Sequence, residues 1–302
     1  MKGFEQILAK LPTEIQSEIK TLPGTIIKGI EEIRLKVGHP LVLSSNGKEY
    51  QLIGEKTCKI DNSEMNNIFN SLLNHSAYAY QEELSKGYIT IDGGHRVGIC
   101  GRVIIENGKV KAIKNISSLN IRRSREIIGV SDQWIPYLLD ENGRLLHTVI
   151  VSPPMCGKTT LLRDIIRNLS NLGMKVGVCD ERSEIAGSFQ GESSFNLGMR
   201  SDVLDGCPKE EGMIMLIRAM SPDVIATDEI GKPSDIYGIQ TAICAGVSLL
   251  TTIHGKDYQD LLRSGIGEFV KTGIFKRLLF LSNDPNIGTV TNILDEKKCQ
   301  IL

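Results

Sequence analysis

The sequence predicts a two-domain chain, in which a smaller α+β domain precedes an α/β domain with a mostly parallel sheet. Three observations predict this organisation. The chain of 302 residues is long enough for two compact domains. Residues 1–142 combine amphipathic helical stretches with strands separated by tight turns. In residues 143–302, short apolar runs alternate with helical stretches of about a dozen residues, a pattern typical of βαβ units.

The N-terminal domain opens with helical spacing. Apolar residues between Phe4 and Ile19 recur on one face, which predicts a single amphipathic helix. Short strands are expected on either side of the Asn46-Gly47 turn. A second helix is predicted over Met65 to Leu73, capped by residues 61–63. From Gly87 to Ile121, strands broken by glycine turns predict an antiparallel sheet.

Composition and charge exclude several classes of protein. Hydrophobic residues make up 41% of the chain, and 35 Lys and Arg nearly balance 36 Asp and Glu, for a net charge of -1. An apolar, nearly neutral chain folds into a core and is not a disordered segment. A globally basic protein that coats nucleic acid is disfavoured too, so we expect no nucleic-acid partner.

Cysteine placement and hydropathy indicate the compartment. The seven cysteines form no C-x-x-C pair, so neither a zinc ribbon nor a disulfide framework is expected, and a reducing compartment is favoured. The N-terminus lacks the apolar core of a signal peptide. Residues 236–253 are uncharged but contain several polar side chains, and we interpret them as buried α/β structure. A cytoplasmic protein is therefore expected. The cysteines are Cys58, Cys100, Cys156, Cys179, Cys207, Cys244 and Cys299.

The strongest motif follows a predicted strand, 148–151, and opens a predicted helix, 160–172. It consists of Ser152, Pro153, Pro154, Met155, Cys156, Gly157, Lys158, Thr159 and Thr160. A Gly-Lys-Thr sequence in this context is typical of a P-loop, in which backbone N–H groups and the helix N-terminus bind phosphate. Lys158 would reach the β- and γ-phosphates of ATP, and Thr159 would ligate Mg²⁺. Ser152 replaces the first glycine of the usual pattern, and a chance Gly-Lys-Thr in a strand–helix turn is the alternative.

Two acids follow another apolar run, Val224 to Thr227. In a parallel sheet, the end of this strand lies on the same edge as the P-loop. Asp228 would hold Mg²⁺, usually through water, and Glu229 would orient or deprotonate the attacking water. The alternative is an acidic helix cap before Pro233.

Two further clusters lie at predicted strand ends. In the charged segment 180–184, a carboxylate, for which we take Glu181, would approach the γ-phosphate or its water, and the alternative is a solvated loop. His254 ends the run 251–254 and would sense the γ-phosphate or report it to a neighbouring subunit. A structural histidine is the alternative there.

Together these motifs resemble the secretion-type ATPases, the hexameric class that powers type II and type IV secretion and pilus assembly. Those proteins carry a P-loop, an acidic box, an acidic strand end and a histidine box in the order found here. The resemblance implies a RecA-like P-loop NTPase domain, ATP hydrolysis with Mg²⁺, and a homo-oligomer, expected to be a hexamer. Asp228 departs from that class, which usually has Gly before the glutamate.

A closer resemblance covers nearly the whole chain and rests on residues 31–38, 87–90, 94–102, 202–209 and 212–231. These segments are similar to the stage III sporulation AA family of endospore-forming bacteria. That resemblance implies an ATPase in the mother-cell cytoplasm that energises a channel between mother cell and forespore. It also implies recruitment to the membrane by membrane-bound channel proteins of the same operon.

The resemblance to the secretion ATPases also implies a role for arginines. In those proteins, arginines of the N-domain approach nucleotide held by the C-domain. The planar guanidinium suits phosphate charge. Arg218, on the helix before the acidic strand, would complete the site or pair with Asp223. Ordinary surface arginines are the alternative. The N-domain candidates are Arg96, Arg102, Arg122 and Arg123.

These observations lead to a ring-forming ATP-hydrolysing motor and leave two alternatives open. One is an ATPase that translocates nucleic acid. The other is a nucleotide-gated assembly scaffold with little hydrolysis, which Ser152 and Met155 favour and Glu229 disfavours. A nucleoside kinase is disfavoured because no arginine-rich lid follows the P-loop helix.

Overall fold

The computed structural model describes residues 2–54, 59–74, 76, 80–189 and 191–301, and the chain forms two compact units. The first unit comprises Met1–Arg125 with Gly187–Ser194, and the second comprises Glu126–Ala186 with Phe195–Leu302. Residues 126–142 thus belong to the second unit, where the Asp164 carboxylate accepts hydrogen bonds from the N–H groups of Gly129 and Ser131. The domain boundary after residue 142 stays a prediction.

The first unit is an α+β structure with an antiparallel sheet. Its helices are α1 (Lys2–Leu8), α2 (Thr13–Lys20), α3 (Gly24–Gly29), α4 (Asn62–Leu72) and α5 (Gln81–Ser85). Its strands are β1 (Ile30–Lys36), β2 (Leu41–Ser45), β3 (Lys48–Leu52), β4 (Tyr88–Ile91), β5 (His95–Glu106) and β6 (Lys109–Arg122). The sheet order is β3-β2-β1-β6-β5-β4. Every pair of neighbours is antiparallel, as the glycine turns predict.

The prediction of one helix from Phe4 to Ile19 is wrong. The structure has α1 and α2 instead, with Pro12 at the N-cap of α2. Proline has no N–H to continue the hydrogen bonds of a preceding helix, so the chain turns there. Leu11 and Ile15 are nevertheless buried in the core, which explains why the apolar spacing carries across the break.

The second unit is an α/β structure around a seven-stranded sheet. Its helices are α6 (Ile135–Leu138), α7 (Lys158–Asn171), α8 (Lys209–Met220), α9 (Asp235–Cys244), α10 (Tyr258–Arg263) and α11 (Gly267–Lys271). Its strands are β7 (Thr148–Ser152), β8 (Val176–Asp180), β9 (Ser201–Asp205), β10 (Val224–Thr227), β11 (Ser248–His254), β12 (Arg277–Ser282) and β13 (Thr289–Leu294). The order is β13-β12-β7-β11-β10-β8-β9, and only the β12–β13 pair is antiparallel.

The central strands β7, β8 and β10 are buried at every position, as is usual for a parallel sheet covered on both faces. Because β7, β8, β10 and β11 run in one direction, their carboxyl ends meet at one edge, here called the carboxyl edge. Those strands end at Ser152, Asp180, Thr227 and His254.

The uncharged segment 236–253 folds as most of α9 followed by β11, as its α/β interpretation predicts. The β11 part is almost entirely buried, whereas α9 exposes Tyr237, Gln240 and Cys244. Across the residues that the structure describes, no helix has the length and apolar character needed to cross a membrane. Cysteines in the same part of the chain are free thiols, and Cys58 lies outside the described residues.

Candidate functional site

The loop between β7 and α7 lies at the carboxyl edge. Ser152, the residue in place of the usual glycine, is buried, and its hydroxyl donates to the Pro153 carbonyl over 2.8 Å. Met155 has φ 61° and Gly157 has φ 79°, so the loop turns through left-handed backbone at both positions. Glycine adopts this conformation without strain, and it is this positive φ that favours glycine at 157, because an added Cβ would be in ordinary contact with Gly288 at 3.5 Å.

Residues 154–160 place polar backbone groups at the start of a long helix. Pro154 and Met155 are exposed, and the buried Cys156 thiol lies 3.6 Å from the Pro154 carbonyl oxygen. Thr159 and Thr160 are half-buried in the first turn of α7. N–H groups in a first helical turn have no intrahelical acceptor, and the helix dipole is positive there. This geometry is suited to binding an anion.

Lys158 points into a cluster with His254 and Glu229. Its side chain is 6% exposed, and Nζ lies 3.0 Å from His254 Nδ1 and 3.8 Å from Glu229 Oε1. Burial lowers the pKa of Lys158, and the nearby Glu229 carboxylate opposes that shift. His254 Nε2 lies 2.9 Å from Glu229 Oε1. Since the ammonium can only donate, Nδ1 of His254 is the acceptor and Nε2 donates to Glu229.

Glu229 is held by its backbone on one side and an arginine on the other. Its φ of 35° is unusual for a residue with a side chain. The Glu229 N–H donates to Thr252 Oγ1 over 2.9 Å, and the Ile230 N–H donates to the Thr252 carbonyl over 3.0 Å. Arg182 Nη1 donates to Glu229 Oε2 over 3.2 Å. Neighbouring strand β11 therefore stabilises a strained backbone that aims the carboxylate at Lys158.

Asp228 is buried beside a lysine that is not among the predicted site residues. Its side chain is 1% exposed, Lys209 Nζ lies 3.6 Å from Oδ1, and this oxygen has no hydrogen-bond partner among the described residues. Burial raises the pKa of Asp228 to about 6 against the influence of Lys209. Lys209 begins α8, where the helix dipole disfavours a cation. A lysine directly after Pro208, at an unfavourable helix start, is therefore the feature of the sequence that could have indicated a functional role for Lys209.

Glu181 binds two lysines. Oε2 accepts from Lys209 Nζ over 2.7 Å, and Oε1 accepts from Lys232 Nζ over 2.8 Å. Burial alone would raise the pKa of Glu181, but these two charge-assisted contacts outweigh it and hold the value at about 2. The carboxylate is therefore an anion over the whole physiological range and a weak base.

The rest of the acidic segment organises its own loop. The buried Asp180 carboxylate accepts from the N–H groups of Glu184, Ile185 and Ala186 at 2.8–3.0 Å, while burial raises its pKa to about 7. Arg163 of α7 donates to the Glu184 and Ile185 carbonyls at 2.8 and 2.7 Å. The loop is thus attached both to β8 and to the helix that begins with Lys158.

The residues present fit a nucleotide with Mg²⁺. A helix N-terminus, a buried cation at Lys158 and an orphaned carboxylate oxygen on Asp228 are the groups that phosphate and a hard cation require. Within the described ranges, no three His, Cys, Asp or Glu side chains lie close enough to hold a metal ion. Protein-bound Mg²⁺ usually takes one or two carboxylates and completes its shell with water and substrate phosphates.

The predicted arginines of the first unit lie on or beside its sheet. Arg96 stacks 3.9 Å over the Tyr88 ring, and Arg122 lies 3.5 Å from Glu32. Arg123 donates to the Lys28 carbonyl over 3.1 Å, and burial lowers its pKa.

The two remaining predicted arginines are on a strand and a helix. Arg102 is on β5, in register with Lys114 of β6. Arg218 is exposed on α8, and the Asp223 carboxylate, its expected partner, accepts from the Lys175 N–H over 2.8 Å.

Comparison with solved structures identifies the fold. The Yersinia pseudotuberculosis ATPase DotB matches with a TM-score of 0.61 and 15% identity, over 95% of this chain and 80% of that chain. The pilus retraction motor PilT, solved with bound ADP, matches with a TM-score of 0.56 and 14% identity, over 87% and 77% of the two chains. The fold class predicted from the sequence, with a RecA-like second domain, is confirmed.

Comparison with protein families and relatives identifies the family. The family model for Sporulation stage III, protein AA matches residues 4–301. Stage III sporulation protein AA of Bacillus subtilis (strain 168) is 41% identical over 300 residues, which cover 97% of this chain and 95% of that protein. The ycf45 protein of Cyanidium caldarium is 30% identical over 152 residues, 50% of this chain and 44% of that protein. The chain therefore belongs to the Sporulation stage III, protein AA family.

Proposed function

We propose that this protein binds ATP with Mg²⁺ at the carboxyl edge of the seven-stranded sheet and hydrolyses it. The observation that carries the proposal is the convergence of Lys158, His254 and Glu229 beside the N-terminus of α7. Helix N–H groups, a buried ammonium and a carboxylate able to orient water are the parts that phosphoryl transfer to water needs. The fold shared with DotB and PilT supports the same activity.

The proposed roles follow from the contacts. The N–H groups of residues 155–160 would cradle the phosphates, with Lys158 on the β- and γ-phosphates. Thr159 and Asp228 would hold Mg²⁺, which supplies neutralisation of phosphate charge when bound. Glu229 would orient the attacking water, because its carboxylate lies beside Lys158, whose ammonium is expected on the phosphate that the water attacks. His254 touches both groups and would report whether phosphate is present.

For Glu181 we propose a positioning role instead of proton transfer. A carboxyl group whose pKa is about 2 is a poor proton acceptor near neutral pH. Through Lys209, however, Glu181 orders the cation that lies against Asp228. This arrangement supports a function for Glu181 in fixing the proposed magnesium ligand.

At the level of the cell, we propose a homo-hexameric ring motor that energises a channel between mother cell and forespore during sporulation. It would act in the mother-cell cytoplasm and be recruited to the membrane by membrane-bound channel proteins. Membership in a sporulation family and the secretion-ATPase fold support this proposal.

We also propose that five arginines contact nucleotide phosphate, namely Arg96, Arg102, Arg122, Arg123 and Arg218.

Phosphate release from MgATP by the purified protein tests the proposed hydrolysis. Lys158→Ala and Glu229→Gln should each reduce turnover by about 100-fold or more, since each removes a contact to the reacting groups. Arg144→Ala is a matched control, because Arg144 is exposed and precedes β7 at the opposite edge of the sheet. Wild-type turnover no faster than that of the two site variants, with membrane partners added, would contradict the proposal.

A further inference from the structure

Glu229 lies among cationic and N–H donor groups, which is unusual for a residue expected to orient water. Oε1 is contacted by Lys158 and His254, and Oε2 is contacted by Arg182. Three side chains from α7, β11 and the loop after β8 therefore surround one carboxylate. Such a set of donors is suited to a tetrahedral anion with several oxygens, and a phosphate carries more negative charge than a carboxylate.

Arg182 is positioned by an ordered loop. Asp180 binds three successive N–H groups of residues 184–186, and Arg163 binds two carbonyls of the same segment. Ser183, which follows Arg182, has φ 54° and donates its hydroxyl to Asp205 over 2.8 Å. The backbone of Arg182 is thereby fixed between β8 and α7. Its side chain is 46% exposed, so a ligand can reach the guanidinium that contacts Glu229.

We propose that Arg182 contacts the terminal phosphate of ATP, together with Lys158, and makes the site distinguish ATP from ADP. The inference rests on the proposed nucleotide site. In the structure, the Glu229 carboxylate occupies the position between Lys158 and Arg182 that we assign to this phosphate. ATP would then take both cations and release Glu229 to orient water, whereas ADP would leave Arg182 paired with Glu229.

Arg182 could alternatively act only as a restraint on Glu229, and the two roles predict different nucleotide affinities. A phosphate contact contributes to the binding of ATP alone, because only ATP has the terminal phosphate. A restraint that acts only on Glu229 affects hydrolysis without favouring ATP over ADP. The ratio of the two affinities therefore separates a contact with substrate from an indirect role.

Calorimetric titration with MgATP and MgADP tests the proposal on the full-length chain. Arg182→Ala should weaken ATP binding about tenfold or more, the value of one charge-assisted hydrogen bond, and leave ADP binding within about twofold of wild type. Arg182→Lys should recover part of the loss, since it keeps the charge without the planar fork. Arg144→Ala should bind both nucleotides as wild type does.

Three results would overturn the proposal. They are equal losses for ATP and ADP, unchanged binding of both, and a rise in turnover with an unchanged affinity ratio. Lys158→Ala is the reference, because it should weaken both nucleotides if the site is a phosphate site at all. A wild-type protein that binds neither nucleotide would instead overturn the proposed function, and with it this assignment.

Discussion

At the residue scale, each buried lysine of the carboxyl edge contacts at least one carboxylate. Lys158 lies against Glu229 and His254, and Lys209 lies between Glu181 and Asp228. A buried charge without a partner costs several kcal/mol, so each cation constrains the carboxylate that it contacts. Removal of one member should therefore affect its partner as well as itself.

The pKa of Glu181 leads to a prediction about stability. Glu181→Gln should lower the free energy of unfolding of the second unit by about 2 kcal/mol or more at neutral pH, because the folded state holds this pKa at about 2 against an ordinary 4.5. The stabilisation is complete above about pH 4.5. As pH falls from there, the unfolded chain takes up its proton first, so the difference from wild type should shrink.

Urea unfolding at a series of pH values, followed by Trp134 fluorescence, measures this effect. Trp134 is the single tryptophan of the chain and belongs to the second unit. Glu141→Gln, at an exposed turn of the same unit, should show little change at any pH. A Glu181 variant as stable as wild type at neutral pH, or one whose deficit grows on acidification, is incompatible with the lysine pairing described here.

Candidate site residues within the motifs can be selected from the sequence, because the motifs depend on local spacing. Lys158, Glu229 and His254 each follow or end an apolar run, and the structure brings them together at the carboxyl edge. Arg182 and Lys209 owe their importance to partners 47 and 28 residues away, Glu229 and Glu181. Short-range patterns do not specify which of many charged residues will pair in the folded chain, so these two were not predicted.

At the scale of elements, local chemistry determines where the helices begin. The α4 helix starts with a capping box, in which Asp61 accepts from the Glu64 N–H over 2.8 Å and Glu64 accepts from the Asp61 N–H over 3.0 Å. This start is predictable from sequence because it depends on adjacent residues. Pro12 breaks the first predicted helix for an equally local reason, which apolar spacing alone does not reveal.

The capping box predicts a measurable loss of stability in the first unit. Asp61→Ala removes the acceptor for the Glu64 N–H and should lower the free energy of unfolding by about 1 kcal/mol. Urea unfolding followed by circular dichroism measures the change. Ser63→Ala, an exposed substitution in the same turn, serves as the control and should have a smaller effect. Equal effects of the two substitutions would argue against the cap as a source of stability.

The edge strand β9 was not predicted, for a reason that lies in its position. Its sequence, Ser201–Asp205, is mostly polar and only partly buried, and it pairs on one side with β8. The predicted strands β7, β8 and β10 are buried at every position and mostly apolar, because helices cover both of their faces. Apolar runs therefore reveal the centre of such a sheet better than its margin.

At the scale of the whole molecule, a parallel sheet explains how distant motifs form one site. Lys158 and Glu229 are 71 positions apart, yet their strands lie in the order β7-β11-β10, with His254 of β11 between them. Alternation of strands and helices predicts this outcome, because parallel strands place all their carboxyl ends together. The fold thus makes the site from loops, while the strands supply its rigid support.

Calorimetric titration of MgATP into wild-type protein and Lys158→Ala tests the central claim, that the carboxyl edge is a nucleotide-phosphate site. We expect saturable binding that requires Lys158, with about a tenfold or greater loss in the variant, because its ammonium is the buried cation at the N-terminus of α7. Binding of equal strength by the two proteins, or no binding by the wild type, would contradict the account.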